Sequence, residues 1–362
     1  MGARHPTRAE MQAMAEDEAR SVSQYFSRNS HFEYISYLNN GITGVSCKIR
    51  LKTGLMRQKS QYFVVKRGFR QGSDRRLEIE HQTLKDFRGA AHILQLFYPP
   101  SNIRNPIDKA PGRTLVTEWI ENGTLADFID RNGSKQFPNR LLLEFFSCRE
   151  KTADEWQFLV VHFCIAMAWP PRGGQRAPQE EERIPSDRRK REKTEKIAHN
   201  DMHCSNIMIG SLSPECGGHD LVPILKLIDF DRSSVRESPS GISLNIYAIG
   251  LVMRSLITKD LMMEPPPVVD VTVRVNGSTR RLLTRGADVS REVYKNLDKE
   301  IGALVQWCLA SAEDRPDIET LHNCVNELRR KATPSRYAGY PLAQWESDSE
   351  IRRIVQRHIL DA

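Results

Sequence analysis

Strand-like segments crowd the first third of this chain and helix-like segments fill most of the rest, which restricts the folds that it can adopt. The segments FEYISYL, VSCKIRLKT and SQYFVVKRG are rich in β-branched and aromatic residues and are joined by glycine-containing stretches. They predict three successive antiparallel strands. A helical pattern follows at 75–87, and HILQLFY and RTLVTEWI predict two more strands. A small antiparallel sheet with one helix is therefore expected.

Helical patterns lie on both sides of these strands. Residues 7–26 lack glycine and proline and are rich in Ala, Glu, Met and Arg, which predicts an N-terminal helix. Beyond residue 120 the chain is expected to be mostly helical, at 141–169, 246–257, 293–310 and 318–331, with two short strands at NIMIG and ILKLIDF. The proline-, glycine- and charge-rich residues 170–196 predict a flexible insertion.

The expected fold class is α+β, with a small antiparallel part that contains one helix, followed by a larger, mainly helical part. The domain boundaries that we predict are 1–32 for a helical extension, 33–119 for the β-rich part, 120–330 for the helical part and 331–362 for a polar tail.

Composition argues for an intracellular protein with no membrane span. The mean hydropathy of the 362 residues is -0.51, and the apolar run at 158–169 is interrupted by His162 and too short to cross a bilayer. The N-terminus has no signal-peptide pattern. Seven cysteines without close pairs predict reduced thiols, as in the cytoplasm or the nucleus.

The chain is basic, with a net charge of +7 and a pI near 9.0. Basic runs such as 188–191 are interleaved with acidic residues, so a solvated loop is preferred to a nucleic-acid site. Nuclear import through that run stays open.

The stretch IAHNDMHCSN at 197–206 supports two different kinds of site. His199, Asp201 and His203 alternate in sequence as metal ligands on a strand can, and the following loop adds Cys216 and His219. The alternative is a phosphoryl-transfer loop in which Asp201 and Asn206 are the working pair.

Residues elsewhere favour phosphoryl transfer from ATP with Mg²⁺. This chemistry needs a cation for the nucleotide phosphates, an anchor for that cation, oxygen ligands for the metal and a carboxylate that orients the acceptor hydroxyl. Lys66 ends the apolar strand YFVVK, and Glu80 on the next helix can pair with it. Asp201 is the candidate base, and Asn206 and Asp229 are candidate Mg²⁺ ligands. A transition-metal site would leave Lys66, Glu80, Asn206 and Asp229 without roles.

These segments, in this order, resemble the protein kinase-like superfamily over residues 33–330. FVVK is similar to its Val-Ala-x-Lys strand, LEIEHQTLKDF to its αC helix, HNDMHCSN to its catalytic loop, IDFD to Asp-Phe-Gly and NIYAIGLVM to its αF helix. The resemblance implies a bilobal fold. It also implies that LVTEWIENGTL is the hinge, with Thr117 as gatekeeper and Glu118, Trp119 and Ile120 facing adenine, and that His199 braces the loop.

The segment LNNGITGVS resembles a glycine-rich phosphate loop in part. Gly41 and Gly44 stand at two of its three glycine positions, and Asn39 stands at the other. We expect the backbone to approach ATP phosphates at the two glycines. An ordinary hairpin turn is the alternative.

Several positions depart from the pattern of Ser/Thr protein kinases. His203 replaces a lysine that touches the γ-phosphate, as in the aminoglycoside and choline phosphotransferase branch, and an imidazole can still donate to a phosphate oxygen. Asn200 replaces the arginine that reads a phosphorylated activation loop. Asp231 replaces the glycine of Asp-Phe-Gly, and Asn245 replaces a structural aspartate. No Ala-Pro-Glu follows, so Arg315 is expected to lack its glutamate partner.

The sequence therefore predicts an ATP-dependent phosphotransferase, with a protein Ser/Thr hydroxyl as the preferred acceptor and a protein substrate as partner. Two alternatives remain, a small-molecule phosphotransferase and a nucleotide-binding pseudokinase that acts as an interaction module. Asp201, Lys66, Glu80 and His203 are the candidate catalytic residues.

Overall fold

The computed structural model describes residues 7–41, 43–52, 61–69, 71–99, 113–146, 197–212, 219–235, 240–261, 266–275 and 277–362, with the backbone alone for 71–73. The described chain is a mixture of helices and small antiparallel sheets, as the α+β prediction requires. It divides into two compact units. The first contains Met1–Arg88, Leu94–Trp119 and Phe230–Arg232, and the second contains Gly89–Ile93, Ile120–Asp229 and Ser233–Ala362.

The first unit is built on a four-stranded antiparallel sheet. Its strands, in spatial order, are β1 Phe32–Asn40, β2 Gly44–Leu51, β3 Tyr62–Gly68 and β4 Thr114–Glu118. The prediction of a strand at 92–98 is wrong, because the chain there forms only isolated bridges, one from Ile93 to Leu227 and one from Leu96 to Thr117. Two backbone hydrogen bonds flank the second bridge, from Phe97 to Val116 and from Glu118 to Gln95.

Helix α1, Arg8–Ser27, lies on one face of this sheet. Thr7 and Glu10 form a capping box that satisfies backbone donors at the start of the helix. Its buried residues follow helical spacing and share one core with alternate residues of the strands: Ala15, Ala19, Val22 and Phe26 with Val45, Cys47, Ile49, Phe63 and Val65. The helix predicted at 7–26 is therefore confirmed, and it packs as part of the first unit.

Helix α2, Gln71–Asp86, and the short 3₁₀ turn Phe230–Arg232 complete the first unit. The rings of Phe87 and Phe230 lie 6.0 Å apart. Arg76 Nη1 lies 3.8 Å from a carboxylate oxygen of Asp231. The turn is thus joined to the helix by an aromatic contact and an ion pair.

The second unit is mainly helical. The helices among its described residues are α3 Leu125–Asn132, α4 Asn139–Phe146, α5 Gly241–Thr258, α6 Lys299–Cys308, α7 Ile318–Lys331 and α8 Asp348–Val355. Two short antiparallel pairs join β5 Ile197–Ala198 to β8 Ser234–Val235, and β6 Ile207–Ile209 to β7 Leu225–Leu227. Among the described helices α5 alone is long and apolar enough to cross a membrane, but 61% of it is buried within the protein. Most of this helix is therefore packed against the rest of the described chain.

The second unit also contains a hairpin that the sequence analysis missed. We expected a mostly helical chain here, with helices at 246–257 and 293–310 and no strand between them, but β9 Val269–Val275 and β10 Ser278–Thr284 pair as antiparallel strands. The signal is a period of two, since Val273 and Val275 are buried while Thr272 and Arg274 are exposed.

The expected polar tail at 331–362 is packed into the second unit. Glu346 is fully buried, and its carboxylate accepts hydrogen bonds from the backbone of Asn139 and Arg140. Tyr337 and Ile351 are also fully buried. The apolar run at 158–169 and the insertion predicted at 170–196 lie outside the described residues.

Candidate functional site

Lys66 and Glu80 meet in the first unit. Lys66 lies on β3, paired with Ser46 on one side and Leu115 on the other. Its Nζ is 2.7 Å from a carboxylate oxygen of Glu80 on α2, and the side chains are 18% and 3% exposed. Since a carboxylate this deeply buried needs a positive partner, the pair fixes the direction of the lysine side chain.

The two glycines of the β1–β2 turn have different surroundings. A Cβ on Gly44 would lie 2.0 Å from the carbonyl oxygen of Arg67, so close pairing of β2 with β3 requires glycine there. A Cβ on Gly41 would meet no described atom within 4 Å. The strand pairing therefore explains Gly44 and leaves open space at Gly41.

The hinge-like segment begins on β4. Thr117 is buried and pairs with Val64, the residue two positions before Lys66. The Glu118 carboxylate accepts a hydrogen bond from the backbone of Gln95 at 2.9 Å. Lys48 Nζ lies 3.7 Å from the centroid of the Trp119 ring, a cation–π contact. Ile120, where the second unit begins, is buried.

His199 is a buried, neutral member of the loop in the second unit. The backbone N–H of Asp201 donates to its Nδ1 at 3.2 Å, so that nitrogen carries no proton. Nε2 therefore carries the proton and donates to the carbonyl of Ile228 at 3.0 Å. Burial lowers the pKa of His199 to about 4. Both ring nitrogens are thus occupied in bracing the backbone before Asp201 and Asp229.

Asn245 on α5 holds the start of the same loop. Its amide oxygen accepts from the backbone of His199 at 3.0 Å, and its amide nitrogen donates to the carbonyl of Ile197 at 2.9 Å. Asn245 is 4% exposed. An aspartate could make the first of these bonds but not the second, so the departure from the family pattern gives the loop two anchors.

Asn206 connects Asp201 with the strand that leads to Asp229. Its Nδ2 donates to the carbonyl of Asp201 at 2.9 Å, which leaves the amide oxygen on the opposite side of the group. Its own carbonyl accepts from the backbone of Ile228 at 3.0 Å. The structure thus brings Asp201, Asn206 and Asp229 together in the second unit, and Lys66 with Glu80 in the first.

Two residues of this region have left-handed backbones. Asn200 and Asp229 have φ of 63° and 65°. Outside glycine this conformation is uncommon, although Asn and Asp tolerate it better than most residues. Asn200 is held by a hydrogen bond from its Nδ2 to Ser234 Oγ at 2.8 Å. Such strain is often found at sites of function.

The metal alternative finds little support among the described residues. They contain no group of three or more His, Cys, Asp or Glu side chains that could hold a metal ion. Burial raises the pKa of the Cys204 thiol to about 12, which disfavours the thiolate that would bind a metal. His219 faces His92, with the two Nε2 atoms 3.4 Å apart. Cys216 lies outside the described residues.

His203 is half-buried, and its carbonyl accepts from the backbone of Asn206 at 2.8 Å, which closes the 3₁₀ turn Cys204–Asn206.

Arg315, for which we expected no glutamate partner, donates to the carbonyl of Ser243 at 3.1 Å and lies over the ring of Tyr247. These contacts fix Arg315 to the first turns of α5.

Sequence reasoning missed the role of Arg76. It lies four residues before Glu80, so both side chains share one face of α2. Glu80 pairs with β3, and Arg76 pairs with the buried Asp231. The i, i+4 spacing signalled that Arg76 and Glu80 share a face of α2, but no local signal pointed to Asp231, which is far from Arg76 in sequence.

The chain matches no protein-family model, and it matches no curated protein.

Proposed function

We propose that this protein is a divergent member of the protein kinase-like superfamily with a bilobal fold. It would bind ATP and Mg²⁺ and transfer the γ-phosphoryl group to a hydroxyl, most plainly that of a protein Ser or Thr. We also propose that it acts inside the cell, in the cytoplasm or the nucleus.

The observation that carries the proposal is the ion pair between Lys66 and Glu80 at 2.7 Å. A lysine on a strand, anchored by a glutamate on the following helix, is the device by which protein kinases hold the nucleotide phosphates. The ordinary alternative is a surface salt bridge. A glutamate whose side chain is 3% exposed argues against that alternative, because surface pairs stabilise little and do not require burial.

The second support is the hydrogen-bonded loop around Asp201. The side chain of Asn245 holds the backbone of His199. The side chains of His199 and Asn206 hold the backbone N–H and the carbonyl of Asp201. A catalytic carboxylate must be held in place, because rate depends steeply on the orientation of the acceptor group. Asp201 would accept the proton of the acceptor hydroxyl.

The donor set suits a hard divalent cation. Asn206 would offer its amide oxygen and Asp229 its carboxylate, and oxygen ligands are those that Mg²⁺ prefers. When bound, Mg²⁺ would neutralise charge on the phosphates. Lys66 would orient the phosphates, the open space at Gly41 would admit them, and Trp119 and Ile120 would border the adenine.

Transfer of ³²P from labelled ATP tests this mechanism. Purified full-length chain should phosphorylate itself or a generic Ser/Thr protein acceptor, and Lys66→Met and Asp201→Asn should each reduce turnover by about 10²-fold or more. Lys135→Met serves as a matched control, since Lys135 is exposed. Undiminished turnover in either site variant would refute the assignment.

A small-molecule phosphotransferase is the second candidate, and His203 favours it. The residue stands where Ser/Thr protein kinases have lysine, and it is half-buried in the loop. An acceptor screen with aminoglycosides, choline and protein substrates separates the two enzymes. Phosphate transfer to metabolites alone would support the second candidate. Stabilisation by ATP and Mg²⁺ without any turnover would instead support a pseudokinase.

A further inference from the structure

A cavity of about 640 Å³ opens in the second unit, and none of the catalytic candidates is among the residues that line it. It is bordered by the β9–β10 hairpin, the turns at 289–297 and the α6 residues from Lys299 to Gln306. Buried Val273 and Val289 contribute apolar surface, and Gly302 and Ala303 of α6 leave room beside them. Its volume is within the range of sites that take a ligand or a few side chains of a partner.

Four exposed cationic side chains border this cavity: Arg274, Arg291, Lys295 and Lys299. Within the described part of the chain, no carboxylate forms an ion pair with any of them. Other arginines of the same unit are paired, such as Arg254 with Asp288 at 2.8 Å. The cavity therefore has a positive wall whose charge is not neutralised by described neighbours.

The acidic side chains of the wall do not cancel this charge. Glu300 lies 3.2 Å from Arg336, which stands outside the cavity and takes up its charge. This leaves the negative charge of Glu292 to offset the positive charges of the four cations that border the cavity. A ligand with several negative groups is therefore favoured over a neutral or basic one.

The shape of the ligand is indicated by the hairpin. Strand β9 pairs with β10 along one edge, and no described strand pairs with the other edge. Thr272, Val273 and Arg274 of β9 border the cavity. An unpaired edge presents backbone donors and acceptors that an extended peptide can use as an added strand.

Apolar side chains add to this surface. Of the nine large hydrophobic side chains exposed in the described residues, four lie on the hairpin, just before it or in the turn that borders the cavity: Val268, Val269, Leu283 and Val293. By strand alternation Val269 and Leu283 lie on opposite faces of the hairpin, so apolar side chains are exposed on both of its faces.

We propose that this surface, defined by β9, the four cations and the turn at Val293, binds an extended acidic segment of a partner protein as a strand added to β9. Successive side chains of a strand point to opposite sides, so acidic residues at every second position would meet the cations and apolar residues would alternate with them. Binding here requires neither Lys66 nor Asp201, so it does not depend on the proposed phosphoryl transfer.

Fluorescence anisotropy with a labelled peptide of four Val-Glu repeats tests the proposal on the full-length chain. The charge-reversed variant Arg274→Glu/Lys295→Glu should bind about tenfold or more weakly, because two attractions become repulsions. The matched control is Lys135→Glu/Arg330→Glu, which makes the same charge change at two exposed sites outside the cavity and should bind as the unaltered chain does. Circular dichroism verifies that both variants fold.

Two further probes separate strand addition from general attraction to anions. The same peptide N-methylated at alternate residues keeps its charge but cannot pair along one edge, and we expect its binding to fall about tenfold or more. Equal binding of the methylated peptide, equal loss in both double variants, or competition by single-stranded DNA or inorganic phosphate at matched charge would overturn the proposal. Asp201→Asn should bind the peptide unchanged, which separates this test from that of the enzymatic activity.

Discussion

Asn245 illustrates how much one atom matters at the residue scale. A neutral amide stands here where the family resemblance places a structural aspartate, and a neutral hydrogen bond alone would brace the loop less firmly than a charged one. In the structure the amide nitrogen finds the carbonyl of Ile197, a partner that no carboxylate could serve. The sequence identified the position, but its effect depended on which backbone group lies opposite, and only the fold determines that.

Two buried histidines, His199 and His219, and the half-buried His322 predict that acid weakens the fold. Burial lowers the pKa of His199 and His322 to about 4 and that of His219 to about 3, all below the ordinary value of 6.5. As the pH falls through about 6.5, the unfolded chain therefore binds protons that the folded chain does not. The free energy of unfolding should fall from about pH 6.5 to about pH 4, by up to about 1.4 kcal/mol per pH unit for each histidine.

Urea denaturation at several pH values measures this dependence, and NMR titration of the histidine ring protons assigns it. His199 should remain neutral at pH values down to about 5. A free energy of unfolding that stays constant or rises as the pH falls from 6.5 to 5 would contradict the assignment of neutral rings to these histidines.

At the scale of elements, the β1–β2 turn offers a pair of glycines for a matched comparison. Gly44→Ala should lower the free energy of unfolding by about 3 kcal/mol or more, because its Cβ would collide with the backbone of Arg67. Gly41→Ala should change it by less than about 0.5 kcal/mol, because the space there is open.

Nucleotide affinity distinguishes a role of Gly41 in phosphate binding from the role of Gly44 in strand pairing. If the open space at Gly41 admits phosphates, Gly41→Ala should weaken ATP binding in a calorimetric titration while the fold stays intact. Equal stability of the two alanine variants would show that the strand pairing tolerates a Cβ at Gly44.

Elements were predictable where their pattern was local. Helix α1, the strands β1–β3 and α2 follow from spacing and composition within single segments, and Lys66 and Glu80 lie on them at the expected places. The contact of Arg76 with Asp231 could not be predicted in the same way, because the two residues are far apart in sequence. The β9–β10 hairpin was missed for another reason, since neighbouring helices outweighed its short period-two pattern.

At the scale of the whole molecule, the segment expected to be a polar tail is part of the core. Removal of residues 334–362 should prevent folding of the second unit. The truncation deletes the buried side chains Tyr337, Ile351, Ile354, Val355 and Ile359. Their burial contributes on the order of 10 kcal/mol, which is as large as the free energy of unfolding of an ordinary domain.

Soluble expression and thermal denaturation measure the effect. Removal of Asp361 and Ala362 alone is the control and should leave the melting temperature nearly unchanged, because both residues are exposed. A truncated chain that melts cooperatively near the temperature of the full chain would show that these contacts are dispensable. Charged residues along 331–362 hid this role in the sequence, because the buried side chains are spaced among them.

The turn Phe230–Arg232 has a consequence for biosynthesis. The first unit includes this turn, yet on the order of 110 residues separate it from Trp119. A ribosome adds about 5 to 20 residues per second, so roughly 5 to 20 s pass between synthesis of the last strand of the sheet and synthesis of the turn. During that interval the nascent sheet and α2 lack Phe230 and Asp231, so Arg76 cannot yet form its ion pair with Asp231. The first unit therefore cannot reach its final form until well over half of the chain has been translated.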